Sequence, residues 1–267
     1  MSLRRQNADF WNDTAQLSRL VQGIPPLGGG GETEVRYRCH EEARTLRSLA
    51  DFRPTDRLVE LGCGNGRWAC ELAPRVASYV GVDLSRPLLD QAREICAKQG
   101  LSNVGFVEAA AEDYVPDFDV SVLYLSGISQ YLDDEALRQV VRRLTRGGSR
   151  CLIDRSTFHR RARQVLSAGG YASIYRVHAE FRSLLAAEGW SYVASGPSYR
   201  FFCYPGPIAR WLARPASGRV VEAMRPLSYV ALRWSSRVMA PAFRPRGPMA
   251  DYDRLFSIFR PGAGRGR

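Results

Sequence analysis

The stretch Val59-Glu60-Leu61-Gly62-Cys63-Gly64-Asn65-Gly66-Arg67, followed by Gly81-Val82-Asp83-Leu84-Ser85, constrains this chain more than any other part of it. An apolar strand runs into three glycines at alternate positions, and a helix is expected to begin just after them. A second short apolar run ends in Asp83, 17 residues beyond Gly66. A βαβ unit of this kind holds a nucleoside: glycines let the backbone approach the ligand, and the carboxylate accepts the ribose hydroxyls. Asp83 also needs a partner, because an unpaired ionised carboxylate is costly in an apolar run.

The glycine spacing bears on which nucleoside is held. The dinucleotide fingerprint is Gly-x-Gly-x-x-Gly. Gly62 and Gly64 fit it, but the third glycine would fall at position 67, which is Arg67. The run Val-Glu-Leu-Gly-Cys-Gly-Asn-Gly resembles the first motif of class I S-adenosylmethionine-dependent methyltransferases, and Gly-Val-Asp-Leu-Ser resembles the strand end that follows it. A dinucleotide site and a glycine-rich turn without a ligand are the competing readings.

The rest of the core alternates strand and helix. Arg57–Leu61, Tyr79–Val82, Val104–Ala109, Phe118–Tyr124 and Arg150–Ile153 read as strands. Arg67–Ala73, Pro87–Gly100 and the stretch from an Asp133 cap through Leu144 read as helices. Alternation of this kind predicts an α/β fold, a doubly wound and mostly parallel sheet with helices on both faces. Beyond it, Arg155–Gly170 reads as loop and short helix and Ala179–Glu188 as helix. Trp190–Ser195 and Tyr199–Tyr204 then read as an antiparallel hairpin. Such an ending is similar to the methyltransferase family, whose Rossmann-like sheet has seven strands. The resemblance covers about residues 35–205. The expected divisions are an N-terminal helical cap over 1–50, a cofactor-binding core over 51–207, and a basic helical C-terminal extension over 208–267.

The resemblance implies roles for particular residues. Gly62, Cys63, Gly64 and Gly66 would face the methionine and ribose part of S-adenosylmethionine, with Glu60 helping to hold their loop. Asp83 would bind the ribose and Leu84 would pack on the adenine. After the third strand the family's usual aspartate is missing from Ala110-Ala111-Glu112. Backbone atoms of Ala111 and the Glu112 carboxylate are the expected adenine readers, with Asp113 second; a helix-start carboxylate is the alternative role for Glu112. Leu125 and Ser126 follow the fourth strand as further cofactor contacts. Gln130 and Tyr131 would face the acceptor or simply pack the loop. Tyr37, Arg38 and Trp11 are candidates for a lid, Trp11 on the acceptor side. Methyl transfer needs in-line positioning, and a hydroxyl acceptor also needs a base. Of the three histidines, His159 follows the fifth strand on the acceptor side and is the expected base; His40 and His178 read as ordinary residues.

Composition narrows the remaining choices. No run of 18 apolar residues and no export signal is present, and the six cysteines form no CxxC pair or zinc spacing, which predicts a cytoplasmic protein with reduced thiols and no metal site. The net charge is +11, and residues 208–267 hold 12 Arg against Glu222, Asp251 and Asp253. Leu227–Met239 repeats apolar residues at near-helical spacing beside Arg233 and Arg237. It reads either as a membrane-surface helix or as a helix packed on the core. Peripheral membrane contact through residues 208–260 is thus one expectation, and the tail Phe259–Arg267 is expected to be disordered. No RNA module and no Asp/Asn-Pro-Pro-Tyr/Phe motif appears, so no nucleic-acid partner is expected. The sequence therefore predicts transfer of a methyl group from S-adenosylmethionine to a small-molecule acceptor, an oxygen first, leaving S-adenosylhomocysteine. A lipid-linked acceptor and a non-catalytic protein of the same fold are the alternatives.

Overall fold

The computed structural model describes residues 10–11, 31–168, 171–198 and 251–262. Helix α1 (Gly31–Leu49) leads into β1 (Arg57–Leu61), α2 (Arg67–Leu72), β2 (Ser78–Asp83), α3 (Arg86–Lys98), β3 (Val104–Glu108) and β4 (Val122–Ser126). A 3-10 turn over Ser129–Tyr131 precedes α4 (Asp134–Leu144) and β5 (Cys151–His159). Then come β6 (Gln164–Ala168), β7 (Tyr171–Tyr175), α5 (His178–Ala187), β8 (Trp190–Pro197) and β9 (Tyr252–Pro261).

Seven strands form one sheet in the order β3-β2-β1-β4-β5-β9-β8. The first five are parallel, and β9 runs antiparallel between β5 and β8. The period-2 alternation of side chains gives each central strand two apolar faces. Val59, Leu123, Leu125 and Leu152 pack against Leu137, Val140 and Val141 of α4 and Phe181 and Leu185 of α5. On the opposite face Leu58, Val122, Tyr124 and Ile153 pack against Ala43 and Leu46 of α1 and Trp68, Ala69 and Leu72 of α2. Helix α4 starts where the sequence predicts, with the Asp133 side chain accepting from the Ala136 amide at 2.8 Å.

Chain order reverses between β1 and β4, so their carboxyl ends open the crevice in which sheets of this kind place a ligand. Two additions sit at that same edge. The hairpin β6–β7 follows the carboxyl end of β5. Residues 199–250, outside the described set, leave the sheet after Ser198 and rejoin it at Asp251, beside His159 and Arg160.

Three sequence expectations are corrected. The partner of β8 is β9, not Tyr199–Tyr204; that segment lies outside the described residues, while Tyr252–Pro261 pairs with both β5 and β8. The tail expected to be disordered contributes Phe259, fully buried against Phe181 and Tyr192, so the core extends past residue 207 into the expected extension. Arg155–Gly170 is not loop and helix: β5 continues to His159, and β6 pairs with β7. Of the expected N-terminal helices, Gly31–Leu49 is present, and the first piece lies outside the described residues apart from Phe10 and Trp11. Leu227–Met239 lies outside them as well.

Candidate functional site

The glycine loop owes its shape to local sterics. Gly62, Gly64 and Gly66 all have positive φ, at 77°, 53° and 75°. A Cβ at Gly62 would lie 2.0 Å from Ile128 Cγ2, so the loop is pressed onto the segment after β4. A Cβ at Gly64 would meet nothing within 4 Å, so at that position the backbone itself faces open space. Cys63 is buried, and burial pushes its thiol well above the usual range, which makes it a packing residue rather than a nucleophile. Gly81 leaves room for it: a Cβ there would come within 2.8 Å of the Cys63 sulfur.

Asp83, at the end of β2, joins two loops. Its Oδ2 accepts from the Gly64 amide at 2.8 Å and its Oδ1 from the Ser85 amide at 2.9 Å. A carboxylate has about four lone-pair sites, so two such bonds leave acceptor capacity for hydroxyl groups. Burial raises the Asp83 pKa, opposed by these backbone donors. Leu84 is half-buried beside it. After β3 the chain turns over Ala111–Asp113. Ala111 presents its carbonyl to Arg143 at 2.8 Å, and Glu112 is half-buried in the turn. Leu125 is fully buried, so only its backbone can meet a ligand, whereas Ser126 is partly exposed.

Trp11 spans the edge of the sheet. Its carbonyl accepts from the Ser85 hydroxyl at 3.2 Å, and its ring meets Tyr131 edge-on at 6.2 Å between centroids. It therefore reaches from the end of β2 to the turn after β4, across the crevice, as a lid residue would. Gln130 and Tyr131 are half-buried in that turn. Tyr37 and Arg38 lie in α1, and their side chains are outside the described set.

Glu60 lies in β1, two residues before the glycine loop. It is fully buried on the α1 side of the sheet and accepts from the Tyr79 hydroxyl. Burial pushes its pKa up to about 7, against the Tyr79 hydrogen bond. His159 lies at the end of β5. Its Nδ1 accepts from the amides of Arg161 and Ala162 at 3.3 and 3.1 Å. With Nδ1 accepting, the neutral ring carries its proton on Nε2. The histidine expected to act as base thus also closes a turn.

Sequence reasoning missed a buried ion cluster under the loop. Glu42 of α1 is bridged by Arg67, and it accepts from Arg155 at 2.7 Å and from Ser198 at 2.6 Å. Burial alone would raise the Glu42 pKa, but the Arg155 and Arg67 guanidiniums and the Ser198 hydroxyl hold it far below the usual range. Arg67 also lies over the Trp68 ring, 4.3 Å from its centroid. The missing third glycine thus anchors the glycine loop to α1, β5 and the end of β8. The available signal was Glu42 itself, an acid on the buried stripe of α1 with Ala43 and Leu46.

Comparisons with known proteins agree with this geometry. Residues 58–148 match the family described as "Methyltransferase domain". The 23S rRNA (uracil(1939)-C(5))-methyltransferase RlmD of Klebsiella pneumoniae subsp. pneumoniae is 42% identical over 72 residues, 27% of this chain and 17% of that protein. The uncharacterized methyltransferase YcgJ of Bacillus subtilis is 26% identical over 117 residues, 43% of this chain and 46% of that protein. The chain therefore spans less than half the length of these curated relatives. Among solved structures, geranyl diphosphate C-methyltransferase from Streptomyces coelicolor A3(2), in complex with Mg2+, geranyl diphosphate and S-adenosyl-L-homocysteine, superposes with a TM-score of 0.64. It does so at 15% identity over 98% of both chains. Among the described residues no cluster of His, Cys, Asp or Glu is placed to hold a metal ion, and no helix is long and apolar enough to cross a membrane.

Proposed function

We propose that this chain, whose residues 58–148 match a methyltransferase domain, is a class I S-adenosylmethionine-dependent methyltransferase that transfers a methyl group from S-adenosylmethionine to a small-molecule acceptor, an oxygen nucleophile first. The observation that carries the reading is the pairing of Asp83 with the Gly64 amide at the switch point of the sheet. The Gly62–Gly66 backbone and Ser126 would hold the methionine end, Asp83 the ribose, and Leu84, Ala111 and Glu112 the adenine. Gly64, where a side chain would meet nothing, and Asp83, with lone pairs to spare, fit such a ligand.

S-adenosylmethionine supplies a methyl group on a sulfonium, which an acceptor nucleophile displaces in line to leave S-adenosylhomocysteine. The chain's own task is to align the acceptor and exclude water, and effective molarities from such alignment are large. Trp11 closes the edge, and Gln130 and Tyr131 flank the acceptor side. A hydroxyl acceptor would also give up its proton to a base on the acceptor side of the edge, for which His159 is the candidate. Calorimetry with S-adenosylmethionine, S-adenosylhomocysteine and NAD tests the reading. Binding of both adenosyl ligands is expected, and binding of NAD alone would overturn it.

One observation favours a second reading, a lipid-linked acceptor met at a membrane surface. Residues 199–250, with nine Arg and one Glu, enter and leave at the carboxyl edge where the acceptor would arrive. Flotation of the full chain with anionic but not neutral vesicles would support it. Failure to float with either removes it.

A further inference from the structure

The turn that would face the acceptor is held from below by two groups that neither the sequence motifs nor the cofactor site accounts for. Asp154 of β5 is fully buried. Its Oδ1 accepts from the Ser129 hydroxyl at 2.7 Å and from the Ser156 hydroxyl at 3.0 Å, while its Oδ2 has no partner among the described residues. Arg176, which follows β7 and is also buried, donates from Nη1 to the Ser129 carbonyl and from Nη2 to the Leu132 carbonyl, both at 2.7 Å. Its Nε and Nη2 bond Asp134 at the start of α4. Ser129 is thus gripped by its hydroxyl on one side and its carbonyl on the other.

What lies either side of Ser129 gives the grip its meaning. Ile128 packs onto Gly62, so the residue before Ser129 touches the cofactor loop. Gln130 and Tyr131 come next, and the Tyr131 ring meets Trp11. Alternation along β5 sends Asp154 to this turn and Arg155 to the Glu42 cluster on the opposite face. Neighbouring residues of one strand thereby fix the acceptor turn and the glycine loop.

We propose that Asp154 and Arg176 are positioning residues for the methyl acceptor: by fixing Ser129 they set the direction in which Gln130 and Tyr131 are presented beside the cofactor loop. The inference rests on the methyltransferase reading given above. Misplacement of reacting groups by about 1 Å can cost on the order of a hundredfold in rate, so a rigid anchor here has a purpose in a transferase. Burial pushes Asp154 up to about 7, against the Ser129 and Ser156 hydroxyls and the Arg176 and Arg155 guanidiniums. Other titratable groups beside it are Asp134 of α4, which Arg176 binds, and His178 of α5, which meets Ser257, the β9 residue paired with Asp154. Burial, with the Arg182 guanidinium nearby, lowers the His178 pKa.

The experiment uses the full chain labelled with 5-fluorotryptophan, the Trp11 line being assigned with Trp11→Phe. Its readouts are that fluorine line and the affinity for S-adenosylhomocysteine by calorimetry. Ser129→Ala, Asp154→Asn and Arg176→Lys are each expected to shift or broaden the Trp11 line while leaving S-adenosylhomocysteine affinity within about twofold of the parent. In the parent the Trp11 line should titrate with a midpoint near neutrality, and in Asp154→Asn it should not; a purely structural Asp154 would give no such titration. A Trp11 line unmoved in Ser129→Ala and Asp154→Asn overturns the inference, as does a large loss of S-adenosylhomocysteine affinity in both. A parent that does not bind S-adenosylhomocysteine sinks the methyltransferase reading instead, and the fluorine readout still reports on the anchor.

Discussion

Glu42 is the fully buried acid at the centre of an ion cluster. Removing one member of a buried ion cluster leaves its partners uncompensated, at about 3–5 kcal/mol. Glu42→Ala should therefore lower stability by that order in urea unfolding, and an unchanged midpoint would contradict the cluster. The pH dependence has a definite sign. A depressed folded pKa stabilises above the unfolded value, about 4.3 for Glu, and that contribution is lost as pH falls. Glu60 works the other way, because burial raises its folded pKa to about 7. Between about pH 4 and pH 7 the folded state holds the extra proton, so stability falls as pH rises. Glu60→Gln keeps an acceptor for Tyr79 and should raise the melting temperature more at pH 8 than at pH 5. Equal shifts at the two pH values would show that Glu60 ionises normally.

Among the elements, β9 separates what the sequence discloses from what it hides. Strands β1 and β2 and helices α2, α3 and α4 were legible because glycine, proline and Asp133 punctuate them within a few residues. The glycine loop and Asp83 were legible for the same reason: their chemistry is local. The partner of β8 was not, because alternation marks a strand without saying which strand it pairs with. A Ser-Gly-Pro-Ser run after β8 pointed to a nearby hairpin, yet Gly196 and Pro197 pair within the strand itself. Glu42, Asp154 and Arg176 escaped for a related reason, since each is defined by partners far along the chain. Phe259→Ala should cost about 3–5 kcal/mol, the usual range for a buried Phe. Val193→Ala, at an exposed position on β8, should cost no more than about 0.5 kcal/mol. Similar costs for the two would argue against a central β9.

At the scale of the whole molecule, the additions gather on one edge. The hairpin β6–β7, Trp11 and both ends of the 199–250 stretch meet at the carboxyl end of the sheet. Pro197 of β8 pairs with Leu255 of β9, so a short turn can replace the long connection without displacing either strand. Exchanging residues 205–245 for a Gly-Ser linker should leave S-adenosylhomocysteine affinity unchanged and abolish any flotation with anionic vesicles. Loss of the nucleotide affinity in calorimetry would mean that the segment also serves the donor side.

The position of β9 has a consequence for synthesis. Residues 198–251 must leave the ribosome between the two strands, an interval of about 3–10 s at ~5–20 residues per second. Throughout it, β5 and β8 carry the unpaired edges that β9 later fills. An open edge of this kind is a template for pairing with another chain. The nascent protein is thus most exposed to aggregation late in translation, and the closing of its sheet waits on a strand that is nearly the last to emerge among those described.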